Sequence, residues 1–205
     1  MNWRSLHRSS AFVIGAFAVV HLLNHLAMIG GADAHIGFMN VARALYRQPV
    51  VEGLLLFCVA FQAGSGAWML IRGWRARSGL IAWLQALSGA YLALFLVNHV
   101  VAVLSGRVSD GLDTNLHFAA AGFYVDPWPW FFAPYYFVAV LALLTHIGCA
   151  IYWNLPEATP EASRKRWVFG SMAAGTLMGA IFVAGMNGAF GALDVPGEYT
   201  APYRR

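Results

Sequence analysis

Five stretches of the chain are almost unbroken runs of apolar residues, roughly 9–29, 50–71, 82–104, 131–153 and 168–190. Charge, proline and glycine collect between them. At a rise of about 1.5 Å per residue, about 20 residues cross the hydrocarbon core of a bilayer. The pattern predicts an all-α membrane protein of five transmembrane helices, one membrane domain over residues 1–205, with no room for a soluble domain.

The connections set the orientation. Arg4 and Arg8 precede the first span, Arg72, Arg75 and Arg77 lie between the second and third, and Arg164, Lys165 and Arg166 between the fourth and fifth, eight basic residues on one side. The other side carries five: Arg43, Arg47, Arg107, Arg204 and Arg205. Basic residues collect on the cytoplasmic side, so the N-terminus is expected inside and the C-terminus outside. The inner connection 154–166 reads as a polar, proline-bearing loop. In the long outer connection 105–130, residues 118–125 and the Pro127-Trp128-Pro129-Trp130 corner are expected along the interface. The first apolar stretch exceeds the ~7–15 residues of a signal peptide's core and carries two histidines, so it is read as a retained span.

Composition agrees. Of 205 residues, 60% are hydrophobic and 11% charged, against about 25% charged in soluble domains. The net charge of +4 comes from residues flanking the spans, not from a basic run, which argues for membrane topology and against a nucleic-acid partner. Cys58 and Cys149 sit inside apolar segments and are expected to be inert core thiols.

The chemistry lies in the ionisable and amide side chains within the spans: His21 and His25 in the first, Gln62 in the second, His99 in the third and His146 in the fourth. Placing such groups in hydrocarbon is costly, and they mark function when they recur. Measured from the span centres, His21, His25 and His99 form an outer layer, and Gln62 and His146 an inner one. By depth alone His25 matches His99 better than His21 does. A single intramembrane histidine is as readily explained by a hydrogen bond to a neighbouring helix. Several, on separate helices and in two layers, point to axial ligands of haem. His7, His35 and His117, near span ends or in connections, are expected to be solvated or interfacial. Gly64, Gly66, Gly89 and Gly148 are placed to let a flat macrocycle or another helix come close.

The segment Leu6-His7-Arg8-Ser9-Ser10, with His21 eleven residues after Ser10, resembles the first helix of the succinate dehydrogenase/fumarate reductase cytochrome b subunit, in its single-polypeptide, five-helix form. Ser88-Gly89 followed by His99 looks like the counterpart on the third helix. His146 in LLTHIGCAIYW is similar to the fourth-helix ligand, and Glu52 in PVVEGLLLF to an acid at the start of the second helix. The resemblance selects His21 over His25 as partner of His99, and places Gln62 where members with two haems carry a histidine.

What the resemblance implies is specific. One haem b is expected in the outer layer, held by His21 and His99, with His25 and His146 as lesser candidates. Because amide oxygen is a weak ligand, the inner site is expected either to lack haem or to depend on another ligand to pair with His146, such as Met178. The chain would anchor a flavoprotein and an iron–sulfur subunit on the inner face of a bacterial cytoplasmic membrane, passing electrons to or from quinone in respiratory electron transport. Glu52 is a candidate for a proton step. The anchor catalyses nothing alone, and the whole complex can form homo-oligomers. Two alternatives stay open: a haem-free structural anchor, and a cytochrome b of another quinone-linked respiratory dehydrogenase.

Overall fold

The computed structural model describes residues 2–204. Eight helices follow in order: α1 (Trp3–Ala27), α2 (Ala32–Tyr46), α3 (Pro49–Gly73), α4 (Leu80–Val108), α5 (Leu116–Ala120), α6 (Pro129–Asn154), α7 (Glu161–Met186) and α8 (Gly197–Thr200). Five of them, α1, α3, α4, α6 and α7, are long and apolar enough to cross a membrane. The described residues contain no strand.

Local signals explain the ends. Asn2 caps α1 by accepting from the Arg4 amide. Pro49 and Pro129 stand at the first positions of α3 and α6, where a missing N–H costs nothing. Gly79 precedes α4 at φ 82°, a conformation that favours glycine. Pro160 leads into α7, so the expected loop 154–166 shortens to 155–160 and Glu161 to Arg166 are helical. The fifth span ends at Met186 rather than at 190, because Gly188 at φ 81° turns the chain.

The spans pack in a ring, α1 on α3, α3 on α4, α4 on α6 and α6 on α7. The ring closes where Met28 lies against Gly185 and His25 against Phe182. The tightest seam is α6–α7, where glycines replace large side chains. A Cβ at Gly148 would meet the Ser171 Cβ at 2.8 Å, one at Gly175 the Leu141 Cα at 3.0 Å, and one at Gly179 the Phe137 carbonyl at 3.0 Å. Small residues let backbones approach, which supplies packing where lipid offers no hydrophobic drive. By contrast, only 6% of the most apolar window of α4 is buried, and 11% for α1 and α3.

The two ends differ. One, here the basic end, holds the start of α1 and the α3–α4 and α6–α7 turns. The other, the capped end, is covered by α2, the segment 109–128 and the C-terminal segment. Leu116, Ala120 and Phe123 pack there with Met28 and Met186. Arg43 pairs with Asp113 at 2.8 Å, Arg47 donates to Thr114 at 2.7 Å, and the Trp128 indole donates to the Tyr203 carbonyl at 3.0 Å. A second apolar cluster, Ile81, Cys149, Tyr152 and Val168, sits at the basic end. Cys58 and Cys149 are buried and free, as expected. Exposed Trp130 and Trp153 mark opposite ends of α6, 23 residues apart, or about 35 Å of helix, the spacing of two interfacial aromatic belts.

Replacing Gly148 by Val should therefore lower stability by about 1–3 kcal/mol, read as thermal unfolding in detergent. Gly170→Ala, on the exposed face of α7 with nothing within 4 Å of an added Cβ, should leave it unchanged or slightly raised.

Candidate histidine site within the membrane

The rings of His21 on α1 and His99 on α4 face one another across the bundle, 6.0 Å between centroids and 64° between planes. Each is steadied by an aromatic one turn N-terminal on its own helix: Phe17 stacks on His21 at 5.5 Å and Phe95 on His99 at 5.2 Å. Residues four apart on a helix share a face. Both histidines lie nine residues from the capped end of their spans, Gly30 and Val108. Depth measured on the actual helices therefore matches His21 to His99. The expectation that depth favours His25 came chiefly from starting the first span too late, at 9 rather than at Trp3.

His25 turns elsewhere. Its ring lies edge-on to His21 at 4.7 Å, 5.1 Å from Phe182 and 5.2 Å from His35. The Asn24 amide donates to His35 Nε2 at 3.2 Å, and His25 Nδ1 is 3.4 Å from the same nitrogen. With the Asn24 amide so turned, His35 Nε2 is the acceptor, so Nδ1 carries the proton. His35 Nδ1 and Asn24 Oδ1 are sealed without partners.

His35 departs most from expectation. It is 2% exposed, not solvated, because 32–46 is an amphipathic helix that turns His35 and Met39 inward. Burial, and the nearby His21, hold its imidazole down from 6.5 to about 4. His7 and His117 are also half-buried. His7 turns into the bundle, its Nδ1 2.7 Å from Ser65 Oγ, and His117 Nδ1 is sealed without a partner.

Towards the basic end, Gln62 does not face His146. Its amide donates to the His7 carbonyl and, at 2.9 Å, to Ser10 Oγ, pinning α3 to α1. His146 Nδ1 donates to the Gln85 carbonyl at 3.1 Å and lies 3.2 Å from Ser88 Oγ. Of the glycines singled out in the sequence, Gly89 accommodates the His146 ring, Gly66 the His7 ring and Gly148 helix α7, while Gly64 is open. Glu52 is not a free carboxylate: it forms an ion pair with Arg107 of α4.

Two imidazoles bound to one iron at about 2.0 Å each would place their ring centroids roughly 6.3 Å apart. The His21–His99 separation fits that demand, and neither ring makes a hydrogen bond among the described residues that would occupy its nitrogens. Among the described residues, no three His, Cys, Asp or Glu side chains gather as a metal site. Comparison with protein families, curated proteins and solved structures finds no match.

The His35 environment gives a pH-dependent outcome. Between pH 6.5 and about 4 the unfolded chain takes up a proton here that the folded chain refuses. Stability from this site is thus present above pH 6.5 and lost as pH falls towards 4, on the order of 3 kcal/mol. Thermal melts over that range should fall less steeply in His35→Gln than in the parent; identical slopes would refute the assignment.

Proposed function

We propose that this chain is a membrane-anchoring cytochrome b, the quinone-linked subunit of a respiratory dehydrogenase of the succinate dehydrogenase/fumarate reductase type. The observation that carries the reading is the His21–His99 pair: two imidazoles on different spans, at matching depth and at the separation one iron requires. They would hold one haem b between them, and His25, turned to His35, would not take part. A haem held by two imidazoles has no open position and serves one-electron transfer rather than oxygen chemistry. Phe17 and Phe95 hold the two rings in place, and α2, through His35 and Asn24, closes the capped end over them.

Orientation supports the rest. Arg4, Arg8, Arg72 and Arg75 are exposed at the basic end, whereas Arg43, Arg47 and Arg107 at the capped end are engaged within the chain. The basic end therefore faces the cytoplasm, and its free arginines are the surface for the flavoprotein and iron–sulfur subunits or for lipid phosphates. A groove of about 420 Å³ opens there, lined by Trp3, Phe61, Ser65 and Trp68. It offers aromatic walls to a quinone head group, whereas the carboxylate of Glu52 is taken by Arg107.

A haem-free anchor is the second reading, favoured by the Asn24–His35–His25 hydrogen bonds, which show buried histidines held by packing alone. Reduced-minus-oxidised spectra of the purified protein decide. A b-type component that disappears in both His21→Ala and His99→Ala and survives in His25→Ala is the expected result. Protein that folds and inserts without haem would favour the anchor. Co-purification with a flavoprotein, and the substrate that reduces it, distinguishes a succinate or fumarate enzyme from another dehydrogenase.

A further inference from the structure

Helix α2 presents a different surface to each side. At about 3.6 residues per turn, His35, Met39, Ala42 and Tyr46 fall on one face. That face packs on the bundle, and His35 and Met39 are buried in it. A quarter turn to one side stand Arg43 and Arg47, whose guanidiniums reach Asp113 and Thr114 in the segment over the capped end. A quarter turn to the other side stand Ala34, Phe38, Val41 and Leu45, all exposed. Val41 keeps 79% of its surface and Leu45 69%. The remaining face, away from the bundle, holds Asp33, Gly37, Asn40 and Ala44.

The basic and apolar faces are thus opposite one another, and both are at right angles to the face that packs. A helix lying in the plane of a membrane has this arrangement. It sinks an apolar side about 5–10 Å into the boundary between headgroups and acyl chains and keeps its charges above. Left in water, a contiguous apolar strip of this kind is an aggregation surface. The strip carries no charged or hydrogen-bonding side chain. Across Arg47-Gln48 it runs on into Val50 and Leu54, which are exposed on α3, a helix long and apolar enough to cross a membrane. Connectivity agrees, because α2 joins the ends of two spans, at Gly30 and Pro49, on the same side of the bundle.

We propose that α2 is a membrane-surface helix whose partner is the phospholipid of the leaflet at the capped end. Phe38, Val41 and Leu45 lie among the acyl chains, and Arg43 and Arg47 stay on the aqueous side. The lid over His25 is then held from two directions, by Asp113 and Thr114 above and by lipid below. None of this depends on haem, so it stands or falls apart from the cytochrome b reading.

Fluorescent labels on α2 test it. Cys58 and Cys149 are buried, so a bimane label should enter only an introduced thiol. A parent chain that takes up no label is the control, and one label per chain shows that a variant has folded. Val41→Cys, Leu45→Cys, Asn40→Cys and Ala44→Cys are labelled and reconstituted into phosphatidylcholine vesicles. Quenching by phosphatidylcholine carrying a doxyl group near its headgroup is compared with quenching by iodide equilibrated across the vesicles. The doxyl lipid should quench the Val41→Cys and Leu45→Cys labels several-fold more than the Asn40→Cys and Ala44→Cys labels, and iodide should reverse the order. Iodide reaching all four labels equally overturns the proposal, because the strip then lies in water. Val41→Cys and Leu45→Cys labels that neither quencher reaches overturn it too, and place a second copy or another protein on the strip.

Discussion

A bilayer core contains no water to satisfy a buried ring nitrogen, so each imidazole carried into it must find its partners within the protein. The way this chain meets that demand orders the whole structure. Towards the basic end the partners are Ser65, Ser88 and the Gln85 carbonyl, supplied by the α3–α4 hairpin. Towards the capped end the partner of His25 is another histidine, brought in on α2. His21 and His99 are held by aromatic stacking and by each other, with no hydrogen bond from any described residue. Two rings left in that state, facing across a bundle, are the feature that structural packing explains least well.

The rest of the architecture divides rigidity from openness. Glycines along α7 and at Gly148 bring α6 and α7 into backbone contact, so that half of the ring behaves as a solid wall. The spans that carry His7, His21, Gln62 and His99 bury much less of themselves and are tied together by polar groups: Gln62 from α3 to α1, Glu52–Arg107 from α3 to α4, and the Tyr91 hydroxyl to the Tyr135 carbonyl from α4 to α6. Such ties fix register without filling the space between helices. The capped end is closed by segments distant in sequence, and the Asn115 amide reaching the Tyr199 hydroxyl at 3.2 Å is one of the stitches.

Much of this was legible in the chain. Span number and helical class follow from apolar run length, whereas the span frames favour His25 and only the family resemblance points to His21 as the ring facing His99. What escaped is instructive. His35 sits in a segment whose charged Arg43 and Arg47 suggest a solvated connection, and only the apolar recurrence of Ile36 and Met39 beside it hints at a helix with an inward face. His7 lies four residues into α1, in what reads as a basic flank. Its inward turn depends on Ser65, 58 residues away, and no local pattern announces such a contact. The depth of His21 was misjudged because α1 starts at Trp3, six residues before its apolar run was read to begin.

The central claim is that imidazoles from α1 and α4 meet on one iron, and electron paramagnetic resonance of the oxidised protein tests it most directly. Two imidazoles whose planes cross steeply, as His21 and His99 do at 64°, leave the ferric d orbitals nearly degenerate. The predicted result is a strongly anisotropic low-spin ferric signal that vanishes in His21→Ala. A high-spin signal in the parent, or a low-spin signal indifferent to His21, would contradict the account.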